Sequence, residues 1–154
     1  MTDSCTIYID QFLPYSPAQV WKALTDSDLL ARWLMPNDFQ LLVGHRFTFK
    51  NFPIPSVKFG GTVYCEVLDF EPERSLRISW IDRGKENGLN STVTWRLESE
   101  EDGTRLYLEH DGFDPNHPLQ QLGYQMMSQG WSRLPQRIAE ILAEDSRALL
   151  REGI

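Results

Sequence analysis

The sequence predicts an α+β fold: a curved antiparallel sheet of six or seven strands wrapped around one long C-terminal helix, with two short helices after the first strand. Three observations carry this. The middle of the chain alternates apolar and polar residues, as strands with one dry and one wet face do. The last third switches to three- and four-residue apolar steps, the period of an amphipathic helix. Two helix-start signals follow the first strand in quick succession. One helix cannot cover the inner face of so wide a sheet, so the sheet must curl around it.

Residues 6–13, rich in Ile, Tyr and Phe, read as the first strand. Ser16 then caps a helix, with Pro17 at its first position and Gln19 completing a capping box. That helix carries Val20, Trp21 and Leu24 on one side. Thr25-Asp26-Ser27-Asp28 starts a second helix through Leu29, Leu30, Trp33 and Leu34, and Pro36 stops it. Strands are expected at 39–43 and 46–50, on either side of Gly44-His45, with a Pro-rich loop at 51–55. Further strands are expected at 61–70, 76–81 and 92–97. Asp102-Gly103 marks a hairpin turn into a last strand at 104–110. Pro118 opens the long helix, whose apolar stripe runs through Leu119, Leu122, Met126, Met127, Gly130, Trp131, Leu134, Ile138, Ile141 and Leu142. Gly130 should allow this helix to approach the sheet closely. Pro135 removes one helical hydrogen bond and should kink it.

The 154 residues read as one domain, 1–154, with 41% hydrophobic and 24% charged residues, so a packed core is expected. A net charge of −7 without a basic cluster argues against nucleic acid as a partner. No apolar run reaches the length of a membrane span, so no membrane insertion is expected. The first residues lack a basic or apolar leader pattern, which points to the cytoplasm. Cys5 and Cys65 sit in apolar stretches without metal-ligand spacing and read as buried free thiols.

A curled sheet gripping one helix tends to leave a gap between them, lined by large side chains. Phe47, Phe49, Trp80, Trp95, Met126, Met127 and Trp131 are placed to line it, and each is equally placed to be plain core. Trp33 and His110 join this candidate ligand-binding set. His110 shares strand phase with Leu106 and Leu108, so it faces the helix. There it would bond a ligand or act as acid or base, or be a core histidine with its own partners.

The strings Ser16-Pro17-Ala18-Gln19-Val20-Trp21-Lys22-Ala23-Leu24-Thr25 and Leu30-Ala31-Arg32-Trp33-Leu34 resemble the opening of SRPBCC-superfamily proteins. Val43-Gly44-His45-Arg46-Phe47, Gly60-Gly61-Thr62-Val63, Thr92-Val93-Thr94-Trp95-Arg96-Leu97, His110-Asp111-Gly112-Phe113 and Gly130-Trp131 extend the resemblance to about residues 6–143. The branch they resemble is the activator of Hsp90 ATPase homologue 1-like domain. The resemblance implies the helix-grip fold of START and Bet v 1-like proteins and an internal cavity for a hydrophobic small molecule. The eukaryotic co-chaperone of that name has a further N-terminal domain, and this chain starts at the helix-grip part. Hsp90 is therefore not expected as a partner.

Other polar residues carry weaker signals. His45 and His117 sit beside turn residues and are expected at the surface. The three histidines have no metal-ligand spacing, so no metal and no cofactor is expected. Glu66 is expected to face solvent while Val63, Cys65 and Val67 face in. Asp82 and Arg83 could sit at a pocket rim, with hairpin surface the preferred reading. No nucleophile elbow, phosphate loop or dinucleotide fingerprint is present.

Three functions compete. The first is binding of a hydrophobic or aromatic small molecule by a monomer or homodimer. The second is a cyclase- or hydratase-type enzyme using His110 as its catalytic candidate. The third is a protein-interaction or co-chaperone-like role.

Overall fold

The computed structural model describes residues 6–152. Cys5 lies outside them. Strand β1 (Ile7–Leu13) leads into helix α1 (Pro17–Thr25) and helix α2 (Ser27–Trp33). Strands β2 (Arg46–Lys50), β3 (Thr62–Glu71), β4 (Ser75–Ile81), β5 (Asn90–Glu100) and β6 (Gly103–Asp111) follow, and helix α3 (Pro118–Glu152) is the last described element. The strands form one antiparallel sheet in the order β1-β6-β5-β4-β3-β2.

Local chemistry sets the helix starts. The Gln19 N–H donates to Ser16 Oγ at 3.2 Å while the Ser16 N–H donates to Gln19 Oε1 at 2.9 Å, closing the capping box. Asp26 Oδ1 accepts from the Asp28 and Leu29 N–H groups and so caps α2. The Trp33 indole donates to the Ala23 carbonyl at 2.7 Å, locking the two short helices together.

The inner face of the sheet follows the strand alternation. Val63, Cys65 and Val67 of β3, Leu76, Ile78 and Trp80 of β4, Val93, Trp95 and Leu97 of β5, and Leu106, Leu108 and His110 of β6 are all buried. The Cys65 thiol is pushed up, first by burial and then by the Asp38 carboxylate, which leaves it protonated and inert. The outer face is held by charge. Arg77 bonds Asp69, Arg105 bridges Asp10 and Glu100, and Glu66 pairs with Arg46.

Residues 39–43 form no strand, so the sheet has six strands and not seven. Phe39 is buried against Phe47, but Leu42 and Val43 are 59% and 65% exposed in a local turn. The free edge of β2 is satisfied differently. Asp38 Oδ1 accepts the Thr48 N–H at 2.8 Å, and the Lys50 N–H donates to the Pro36 carbonyl.

The hairpin between β5 and β6 turns at Glu101-Asp102, and Gly103 is already a strand residue paired with Glu100. Neither turn residue has positive φ, so the glycine is not there for turn geometry. A Cβ on Gly103 would lie 2.2 Å from the Leu13 carbonyl oxygen, so close approach of β1 requires it.

Helix α3 lies against this inner face. Trp131 packs on Trp80 and Trp95 with ring centroids 5.4 and 6.0 Å away. The helix continues through Pro135, which is buried. Lys22 pairs with Asp145, and Arg32 with Glu144, fastening the far half of α3 to α1 and α2. Gly130 is exposed and a Cβ there meets nothing within 4 Å, so it does not set the approach of helix to sheet. No helix among the described residues is long and apolar enough to cross a membrane.

Candidate functional site

The near half of α3 does not close onto the sheet. Between them lies an apolar cavity of about 160 Å³. Its walls come from four sources: Val63, Trp80 and Ile81 at the strand ends; Ile54, Val57 and Phe59 from the loop after β2; Gly123, Met126 and Met127 from α3; and Met35, Leu89 and Phe113 from connecting segments. The loop can fold back over the sheet because of Gly61. Its φ is +102°, and a Cβ there would sit 2.9 Å from the Asn51 carbonyl oxygen. Gly123 faces open space, since a Cβ added to it meets nothing within 4 Å. The cavity exists because a glycine and two flexible methionines stand where α3 elsewhere carries Trp131, Leu134 and Ile138.

Four polar residues touch the cavity: Asn51, Asp82, Asn87 and Gln120. The two buried ones are bonded to protein through both the nitrogen and the oxygen of the amide. Asn87 Nδ2 donates to the Val57 carbonyl at 2.8 Å, and Asn87 Oδ1 accepts from the Leu89 N–H at 3.2 Å. Gln120 Nε2 donates to the Asn87 carbonyl, and Gln120 Oε1 accepts from the Asp114 N–H, both at 2.8 Å. These bonds tie the short 3-10 turn Pro55–Val57, the β4–β5 connection and the start of α3 into one frame around the space. The interior they enclose stays apolar because their polar atoms are already satisfied. Asp82 is half-buried at the rim, where one carboxylate oxygen accepts the Gly84 N–H at 2.6 Å. Arg83 turns away and lies over the Tyr64 ring at 4.0 Å.

Deeper along the helix the same two layers are sealed. His110 is fully buried, and its two ring nitrogens have separate partners. The Trp131 indole donates to His110 Nδ1 at 3.0 Å. Ser91 Oγ lies 2.9 Å from His110 Nε2 and donates its own proton to the Trp80 carbonyl at 2.6 Å. The chain of donors therefore assigns the proton of neutral His110 to Nε2, directed at Ser91. Burial pushes the imidazole down to about 3, so it stays neutral across the physiological range.

Of the nine candidate ligand-binding residues, Trp80, Met126 and Met127 line the cavity. Trp33, Trp95 and Trp131 surround a residual void of only about 10 Å³ farther along α3. Phe47 and Phe49 are buried edge-to-face 5.4 Å apart, with Phe49 backing Trp80 at 5.5 Å. His110 sits behind Trp80 and Phe113, outside the cavity lining. His45 stacks on Phe47, with Nε2 2.9 Å from the Asp38 carbonyl. His117 Nδ1 accepts the Gln120 N–H at the start of α3. Among the described residues, no three His, Cys, Asp or Glu side chains gather as a metal site would need.

Sequence reasoning missed Gly123, Asn87, Gln120, Phe113 and the loop residues Ile54, Val57 and Phe59. Gln120, Gly123 and Met127 recur at three- and four-residue steps, so the helix stripe was the available signal. The loop residues carried none.

The model of the activator of Hsp90 ATPase homolog 1-like protein family matches residues 14–143. Among solved structures, protein MLL2253 of Mesorhizobium loti is 32% identical, with a TM-score of 0.79 over 90% of this chain and 97% of that one. CalU16 of Micromonospora echinospora is 28% identical, with a TM-score of 0.61 over 96% of this chain and 88% of that one. The Aha1 dimer of Colwellia psychrerythraea is 17% identical at a TM-score of 0.68, covering 87% of this chain and 96% of that one, a likeness of fold alone. A comparison with curated proteins gives no match.

Proposed function

The chain belongs to the activator of Hsp90 ATPase homolog 1-like family, and from that premise we propose that it binds a small hydrophobic or aromatic molecule between the sheet and α3. The observation that carries this is the apolar cavity of about 160 Å³ with every buried polar atom around it already bonded. A space of roughly 150 Å³ lined by apolar side chains has room for one benzene ring. The ligand class is therefore a single aromatic ring or a short branched alkyl group, well below the size of a sterol or a fatty acyl chain. Trp80 in the wall makes binding visible, because a ring placed against it changes its emission.

Titration of the protein with benzyl alcohol, followed by tryptophan fluorescence, tests the reading. It predicts a saturable change in the wild type and none in Gly123→Leu, whose side chain occupies the space. The absence of any saturable response in the wild type would refute it. His110 has a packing role in this account: its nitrogens are bonded to Trp131 and Ser91.

A further inference from the structure

We infer that the molecule held in this cavity carries a protonated amine, which meets the Asp82 carboxylate at the rim. The inference rests on the cavity reading above and adds the chemistry of the ligand's head. Asp82 is the one ionisable side chain among the residues lining the space. The Gly84 N–H fixes one of its oxygens, which orients the carboxylate, and among the described residues nothing in the protein bonds the other. Of the other polar side chains lining the space, Asn87 and Gln120 are bonded to Val57, Leu89 and Asp114, and the exposed Asn51 spends its Oδ1 on the Phe52 N–H.

Of the cations near this end, Lys85 is exposed and outside the cavity lining. Arg83 lies over Tyr64, and Lys58 pairs with Glu86 at 3.9 Å. No Lys or Arg lines the cavity. A carboxylate or phosphate ligand would thus bring a second negative charge beside Asp82, with no Lys or Arg among the lining residues to offset it. A hydroxyl head gains a hydrogen bond to the carboxylate. An ammonium gains that bond and the attraction of opposite charges, which the apolar walls screen less than water does. With room for about one ring inside, the fitting class is an aryl-methyl or aryl-ethyl amine, its ring against Trp80 and Met127 and its nitrogen at Asp82.

Calorimetric titration of the full chain at neutral pH with benzylamine, benzyl alcohol and benzoate tests this, because the three share one ring and differ in head charge. The expected order is benzylamine at least about 10-fold tighter than benzyl alcohol, with benzoate weakest. Asp82→Asn keeps an oxygen for the Gly84 N–H. It should erase the benzylamine advantage while weakening benzyl alcohol far less. Equal affinity for benzylamine and benzyl alcohol in the wild type overturns the amine assignment and leaves the cavity reading standing, as does an amine advantage that survives in Asp82→Asn. Failure of all three probes to bind overturns both.

Discussion

Gly123 and Trp131 lie about two turns apart on the same helix, facing the same sheet, and their surroundings are opposite. Around Trp131, rings interlock with Trp80, Trp95 and His110, and only about 10 Å³ is left unfilled. Around Gly123 the space is about 160 Å³. The difference does not come from buried polarity, since both ends present apolar walls and their buried polar side chains are bonded. It comes from side-chain volume and stiffness on α3, and from a loop whose position is fixed by the bonds of Asn87 to Val57 and of Gln120 to Asn87. A helix-and-sheet sandwich can therefore be both a close-packed core and a receptacle.

Trp131→Ala should destabilise the protein by about 3–5 kcal/mol in denaturant unfolding, from cavity creation and from the unpaired His110 Nδ1. A loss below about 1 kcal/mol would place Trp131 outside the sealed core.

His110 gives the next largest effect. Its pKa of about 3 in the folded chain lies below the ordinary 6.5, so between these values the unfolded state binds more protons. Its contribution is fully present above pH 6.5 and is lost as pH falls, at about 1.4 kcal/mol per pH unit. Unfolding measured from pH 7 to 5 should show the advantage of wild type over His110→Gln shrinking by about 2 kcal/mol. A constant difference would mean that His110 is not held neutral.

Gly123→Leu should raise stability by about 1 kcal/mol, because glycine is a poor helix former and a Cβ at this position meets nothing within 4 Å. It should abolish benzyl alcohol binding in the same step. Loss of stability instead would show that the space is not open. Arg32→Ala, which removes an exposed pair with Glu144, should change stability by less than about 1 kcal/mol. A larger loss would mean that the far half of α3 is held by charge and not by Trp131, Ile138 and Leu142.

The elements were legible wherever one residue's chemistry dictates local geometry. Ser16, Pro17 and Gln19 define a helix start without help from the rest of the chain. The alternation through β4, β5 and β6 places Trp80, Trp95 and His110 inward whatever surrounds them. Residues 39–43 misled because Leu41, Leu42 and Val43 have strand composition, yet Asp38 and Pro36 already satisfy the edge they would have joined. The site was half legible for a related reason. Strand and helix phase show that Trp80, Trp95, Met127 and Trp131 face inward, but not which end of the sandwich is filled. That depends on Gly123 and on where the loop of Ile54, Val57 and Phe59 comes to rest. The loop is fixed by Asn87, remote in sequence.

The most direct test of the two-ended account is an NMR titration with benzyl alcohol, following methionine methyl and tryptophan indole signals together. The account predicts saturable shifts at Met126, Met127 and Trp80, with the Trp131 and Trp33 indole N–H signals unmoved in their bonds to His110 and Ala23. Shifts appearing first at Trp131, or none that saturate at Met127, would contradict it.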